Sequence, residues 1–332
     1  MILLHLLTIA GSVAVLTLGA ELFVRGASVL ALRLGISPLF VGLTIVGFGT
    51  SSPELGASLS ATLTGSTGIS VGNVIGSNCF NIALILGLTA LIRPIAIEFA
   101  AVRRDLLVAL GVCAVPVLGY ATGAVNRPMG ILCLIGLVVY LTLAYFKDRA
   151  AQATVQQRAE AEIESSLITQ DPRTMSRGWF AFQIALGLSG LVLLILSSAT
   201  FVHGATALAR VAGISELIIG LTVVAAGTSL PELVTSVVAA RRGNADVAVG
   251  NVIGSNIFNI LGILGACAAV APQPVDAETA LVGIPAMILF SLLIVPFIRS
   301  GSVLSRREGG ILVAGFLIYT AILIVRATSG QG

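Results

Sequence analysis

Charge is scarce in this chain. The 332 residues include 18 Lys and Arg and 15 Asp and Glu, so 10% are charged while 57% are hydrophobic. A soluble domain carries about 25% charged residues, and a chain at this composition cannot dress a water-facing surface. The reading is an all-α membrane protein that packs its helices in lipid. Histidine is nearly absent, with His5 and His203 far apart in sequence. There is no HExxH and no His/Ser or paired-Asp constellation inside an apolar run, which argues against an intramembrane enzyme. Cysteine is rare too: Cys79, Cys113, Cys133 and Cys267 lie in apolar runs without CxxC or Cys/His spacing. They read as small buried residues rather than metal ligands or a disulfide framework. Residues 1–7 have no basic n-region, so the N-terminus reads as a first span. A net charge of +3 indicates no nucleic-acid partner, because the basic residues sort by loop, and no protein partner is indicated.

What the chain does have is long apolar runs, each near the ~20 residues that cross a bilayer. Ten are expected, at 3–30, 37–63, 69–92, 103–122, 128–146, 179–208, 215–240, 246–271, 279–298 and 309–326. One polar stretch, 147–177, interrupts them with Gln156, Gln157, Arg158, Glu160, Glu162, Glu164 and Pro172. It is expected to be a loop, in part helical, that joins a first repeat, 1–146, to a second, 178–332. Loops after odd-numbered spans, with their adjoining span ends, hold 15 of the 18 Lys and Arg, against Arg127, Arg210 and Arg326 on the other side. The positive-inside rule then places both termini outside and the 147–177 loop in the cytoplasm of a cell (inner) membrane.

A shift of 178 residues lays Gly42–Gly87 on Gly220–Gly265 without a gap, and 27 of the 46 positions are identical. Five spans separate equivalent points, and five is odd, so the copies cross the membrane in opposite senses. This is an inverted-topology repeat of five helices, with a site expected at the midplane.

Each copy opens on a motif that hydrocarbon penalises: Gly49-Thr50-Ser51-Ser52-Pro53-Glu54 and Gly227-Thr228-Ser229-Leu230-Pro231-Glu232. A carboxylate at mid-bilayer costs roughly 2.5–3.5 kcal/mol on insertion scales and marks function by default. Pro53 and Pro231 lack an N–H, which releases the carbonyls of Gly49 and Gly227. Thr50, Ser51 and Glu54 are spaced to share a helix face, which Ser58 extends; Thr228, Ser229, Glu232 and Ser236 repeat this. The following spans carry Gly72-Asn73-Val74-Ile75-Gly76-Ser77-Asn78 with Asn81, and Gly250-Asn251-Val252-Ile253-Gly254-Ser255-Asn256 with Asn259. Asn73, Ser77 and Asn81 form one polar stripe. Gly72 with Gly76, and Gly250 with Gly254, read as close-packing GxxxG pairs. Asn73, Asn78, Asn251 and Asn256 are expected to bond between helices. The sum is a cage of hard oxygen donors, which suits Ca²⁺ with its 6–8 oxygen ligands and has no soft donor for copper or zinc.

These paired motifs resemble the α-repeats of the cation/calcium exchanger superfamily, nearest its prokaryotic sodium/calcium branch. The resemblance implies alternating access, with Ca²⁺ and Na⁺ as transported ions and no cofactor. It implies Glu54 and Glu232 as shared carboxylate ligands, and Thr50, Ser51, Thr228 and Ser229 lining Na⁺ positions. Ser77, Asn81, Ser255 and Asn259 would complete the cage, with backbone carbonyls from Gly47 and Ala225. Some relatives carry an Asp at one of the two positions held here by Asn81 and Asn259, and Asn at both speaks against K⁺ dependence. A Ca²⁺/H⁺ antiporter using the same glutamates, and a cation channel, are the competing readings; the hydroxyls flanking each Glu favour Na⁺ over a proton. Elsewhere, Glu21 and Arg25 are spaced as an i, i+4 pair, Asp105 is expected at the interface beside Arg103 and Arg104, and Glu216 and Asp246 at solvated span ends.

Overall fold

Glycines in left-handed geometry follow the ends of five helices, at Gly35, Gly65, Gly123, Gly213 and Gly243, and prolines stand just past the breaks within spans. The computed structural model describes residues 2–163, 176–213 and 225–329. Seven described helices are long and apolar enough to cross a membrane: Ile2–Ala31, Thr67–Ile92, Arg127–Ala151, Arg177–Val211, Ala245–Val270, Thr279–Arg299 and Arg306–Arg326. The other three expected stretches are interrupted. The first is broken at Ser51, between a helical segment through Gly47–Thr50 and the helix Ser52–Leu63. The second breaks at Cys113, between Phe99–Val112 and Ala114–Ala121, because Pro116 cannot bond the carbonyl of Val112. The third is described as Ala225–Thr228 and Leu230–Arg241, broken at Ser229.

Burial ranks the long helices. Thr67–Ile92 and Ala245–Val270, which carry the two asparagine stripes, are 72% and 83% buried, while Ile2–Ala31 and Arg306–Arg326 are only 17% buried. The stripe-bearing helices form the centre and the others surround them. Helix α1 (Ile2–Leu34) packs along the helix Arg177–Val211 through facing glycines. A Cβ on Gly26 would stand 2.6 Å from Gly187 Cα, and one on Gly190 would stand 2.6 Å from the Gly19 carbonyl. Small residues let these backbones touch, which is how helices gain contact where lipid removes the hydrophobic drive.

Two short antiparallel bridges tie the loops. Ile95–Ala96 pairs with Val303–Leu304, and Ala124–Val125 pairs with Gln273–Pro274. A shift of 178 carries the first bridge's strand at 95 onto 273 and the second's at 125 onto 303, so the bridges are counterparts. Arg93 donates to the carbonyl of Arg241 at 2.7 Å, and Arg306 to that of Ile92 at 3.5 Å, beside the first bridge. Arg127 caps Val270 at 3.0 Å beside the second. Loops after odd-numbered spans thus meet one another, and loops after even-numbered spans do likewise.

Some local expectations hold and one changes. The 147–177 stretch is helical in part, as expected, since the helix Arg127–Ile163 runs well into it, while Glu164 and Pro172 of that stretch, and Glu216, lie outside the described residues. Glu21 pairs with Arg242 at 3.1 Å, not with Arg25, because the neighbouring helix brings the arginine closer than the next turn does. Asp105 is buried at 1% exposure. Its Oδ1 accepts from Arg104 Nη2 at 2.7 Å, as the adjoining arginines suggest, and from the Tyr140 hydroxyl at 3.0 Å, while Oδ2 has no partner among the described residues. Gly250 and Gly254 pack as expected: Cβ atoms there would stand 2.5 Å from the Leu39 carbonyl and 2.2 Å from that of Leu43. Among the described residues nothing lies within 4 Å of a Cβ built on Gly72 or Gly76; the shift of 178 carries Leu39 and Leu43 onto positions 217 and 221, which lie outside the described residues.

Candidate cation site

Two backbone breaks build the site. Ser51 (φ −80°, ψ 8°) and Ser229 (φ −91°, ψ 8°) leave helical geometry for the sparsely allowed bridge region. Pro53 and Pro231 each sit in the first turn of the helix that restarts, a position the ring tolerates while offering no N–H to the carbonyl four residues back. The glycine before each break is forced by proximity. A Cβ on Gly49 would stand 2.9 Å from the ring of Phe23, and one on Gly227 would stand 2.0 Å from a methyl of Val202. Glu54 and Glu232 follow in the first turns of the restarted helices, buried at 1% and 0% exposure.

The breaks also redirect the serines. Ser51 was expected to share a helix face with Glu54, but the turn carries its hydroxyl to the other half, where it donates to Glu232 Oε1 at 2.9 Å. Ser229 does the converse, donating to Glu54 Oε1 at 2.8 Å. The crossed bonds draw the two acidic side chains, 178 residues apart, into one cluster with the two serines. One oxygen of each is held in this way. The other, Glu54 Oε2 and Glu232 Oε2, is buried with no hydrogen-bond partner.

A second reciprocal set lies beside them. Asn81 Nδ2 donates to Asn256 Oδ1 and Asn259 Nδ2 donates to Asn78 Oδ1, both at 3.0 Å. Asn78 and Asn256 each donate to the other's backbone carbonyl, both at 3.3 Å. The amide nitrogens of Asn81 and Asn259 are thereby occupied, and their oxygens, Asn81 Oδ1 and Asn259 Oδ1, are buried without a partner. Asn78 and Asn256 do bond between helices as expected, and in doing so they decide which way the neighbouring amides face. Asn81 and Asn259 both stand in π-helical turns, Phe80–Leu86 and Asn259–Leu264, a distortion common at functional sites.

The remaining candidates surround this core. Thr50 donates to the Val46 carbonyl at 3.0 Å and lies 3.1 Å from Asn251 Oδ1. Ser255 donates to the Gly47 carbonyl at 3.2 Å. Ser77 is buried one turn before Asn81, and Thr228 is half-buried at the end of the segment that Ala225 opens. Asn73 donates to Ser58 and Asn251 to Ser236, both at 2.9 Å, which pins each stripe helix to its glutamate helix. Ser198 was not foreseen. Its hydroxyl donates to the Gly227 carbonyl at 2.5 Å, so the carbonyl that Pro231 releases already has a partner. No periodicity or motif in the sequence marks Ser198 out.

A family model for the sodium/calcium exchanger protein matches residues 4–146 and 182–325. This chain belongs to the sodium/calcium exchanger family. Its members are membrane transporters, not enzymes. The putative antiporter CaxA of Alkalimonas amylolytica is 38% identical over 92% of this chain and 93% of that protein. The inner membrane protein YrbG of Escherichia coli is 36% identical over 92% of each. The sodium/calcium exchanger MaX1 of Methanosarcina acetivorans is 33% identical over 98% of this chain and 99% of its own. Among solved structures, the sodium-calcium exchanger NCX_Mj soaked with 10 mM Na⁺ and zero Ca²⁺ superposes with a TM-score of 0.81 at 30% identity, covering 97% of this chain and 99% of that one. In this exchanger the candidate donors are all oxygens, two carboxylates with hydroxyls, amides and carbonyls.

Proposed function

We propose that this exchanger is a secondary antiporter that moves Ca²⁺ against Na⁺ by alternating access, at a midplane site shared between two inverted five-helix repeats. One observation carries the reading. Glu54 Oε2, Glu232 Oε2, Asn81 Oδ1 and Asn259 Oδ1 are all acceptors, all buried and all unpartnered. Leaving one such group bare costs roughly 1–3 kcal/mol, and more when it is charged, so four gathered from two repeats make sense as ligands awaiting a cation. Hard oxygens suit Ca²⁺, and Na⁺, of similar size, fits the same donors.

The ligand roles follow the geometry. Glu54 and Glu232 supply shared charge. Ser51 and Ser229, each bonded to the opposite glutamate, turn their lone pairs to Na⁺ together with Thr50 and Thr228. Ser77, Asn81, Ser255 and Asn259 close the cage, and the Gly47 and Ala225 carbonyls flank it. The repeats are 1–146 and 178–332, with both termini outside an inner membrane and 147–177 in the cytoplasm. The basic loops that cluster at one end support this orientation, and the inner-membrane relative supports the membrane assignment. Radiolabelled Ca²⁺ uptake into proteoliposomes loaded with Na⁺, K⁺ or protons tests the counter-ion. Uptake driven by outward Na⁺ alone supports the reading, and uptake driven by a proton gradient alone replaces it with the Ca²⁺/H⁺ antiporter.

A further inference from the structure

The two half-sites share their motif but differ in what holds the backbone break. In the second half, Pro231 leaves the Gly227 carbonyl without a helical donor. Ser198, 3% exposed on the helix Arg177–Val211, donates to it at 2.5 Å. That is an unusual use of a helical serine. Its neighbour Ser197 bonds back to the Leu193 carbonyl four residues earlier, at 2.5 Å, the ordinary habit in a helix. Ser198 reaches across to another helix instead. A shift of 178 sets Ser198 on Ala20, which is buried at 0% exposure and has no hydroxyl. In the first half the ring of Phe23 and the side chain of Leu191 press on Gly49.

We propose that Ser198 is a positioning residue for cation binding: by holding the Gly227 carbonyl it fixes the turn that aims Ser229 at Glu54. The inference rests on the exchanger reading above. Gly227 lies two residues before Ser229, whose φ of −91° and ψ of 8° define the break. The 2.8 Å bond from Ser229 to Glu54 Oε1 depends on that turn. With Ser198 gone, the Gly227 carbonyl is free to rotate, Ser229 loses its aim, and Glu54 is no longer set for the ion. Ser198 touches no cation; it acts through the backbone.

The test compares Ser198→Thr with Ser198→Val in proteoliposomes. The two side chains share shape and branching, so only the hydroxyl distinguishes them. Ser198→Ala, which adds no volume, is measured beside them. The half-saturating Ca²⁺ concentration should rise roughly 3- to 10-fold in the Val and Ala variants, the loss of one buried hydrogen bond, with maximal rate within about twofold. The Thr variant should match the wild type. Equal half-saturation in all three variants, or a change confined to maximal rate or melting temperature, overturns the proposal. If the wild type itself shows no Na⁺-driven uptake, the exchanger reading fails. If it transports and the variants share its half-saturation, only the role of Ser198 fails.

Discussion

Ser229 and Glu54 come from opposite halves of the chain and meet at 2.8 Å; their counterparts Ser51 and Glu232 meet at 2.9 Å. Each glutamate is therefore oriented by the repeat to which it does not belong. This makes neither half-site complete alone. Ser51→Ala or Ser229→Ala removes a hydrogen bond to a charged group, worth about 1.5–3 kcal/mol. Ca²⁺ affinity, read by isothermal titration in detergent, should fall on the order of 10- to 100-fold in either variant. Unchanged affinity in both would show that the cross-repeat bonds do not organise the site.

Asn78 and Asn256 are expected to matter without touching the ion. Asn78→Leu takes away the acceptor that holds Asn259 Nδ2 at 3.0 Å and the side-chain donor to the Asn256 carbonyl, while the bond from Asn256 Nδ2 to the backbone carbonyl of residue 78 can remain. The Asn259 amide can then turn its nitrogen toward the site. Ca²⁺ binding should weaken on the order of tenfold or more, a cost of about 1–3 kcal/mol for a misdirected buried polar group. Wild-type binding by Asn78→Leu would assign this asparagine to packing alone.

The second-half glycine motif should not tolerate added volume. Gly254→Ala places a methyl 2.2 Å from the Leu43 carbonyl. Overpacking of this kind costs typically 1–3 kcal/mol. The melting temperature of Gly254→Ala should drop by several degrees. A melting temperature at the wild-type value would show that this close approach is not held in the protein as it operates.

Acid acts at two places. At the site, protonation of Glu54 or Glu232 removes a cation ligand, so transport should fall as pH is lowered, and a profile flat to about pH 4.3, the carboxylate reference value, would count against ligation. Outside the spans, Asp276 accepts from the Thr279 N–H at 2.8 Å and its hydroxyl at 2.7 Å. Partial burial pushes its carboxyl upward, but those bonds outweigh burial and hold it below the usual aspartate range. Its folded pKa is thus the lower one. The cap's contribution is whole above the unfolded value near 3.9 and is lost as pH falls through the folded value. Asp276→Ala should lower stability by about 0.5–2 kcal/mol at neutral pH, with the gap to wild type closing in acid. A gap that persists at pH 2–3 would argue for a different role.

Much of the site was legible because hydrocarbon makes polar residues conspicuous. Glu54, Glu232, Asn81 and Asn259 stand out in apolar runs, and the 178-residue shift pairs them from the sequence alone. What was hidden depends on contacts between distant helices. Helical spacing assigned Ser51 to Glu54, but the backbone break hands it to Glu232. Ser198 looks like any helical serine until the Gly227 carbonyl is placed beside it. Periodicity also assumes unbroken helices, and Pro53, Pro116 and Pro231 interrupt three stretches. The burial of Asp105 was hidden too, because nothing local announces Tyr140, 35 residues on, as its partner.

The account stands or falls on whether Glu54 and Glu232 hold the transported ion together. The direct measurement is ⁴⁵Ca²⁺ uptake into Na⁺-loaded proteoliposomes by wild type, Glu54→Gln and Glu232→Gln, with equilibrium ⁴⁵Ca²⁺ binding to the same purified proteins. The wild type should take up and bind Ca²⁺, and each glutamine variant should lose both while keeping the wild-type elution profile and helical circular dichroism. Ca²⁺ binding and Na⁺-driven uptake at wild-type levels in either variant would contradict the shared carboxylate site.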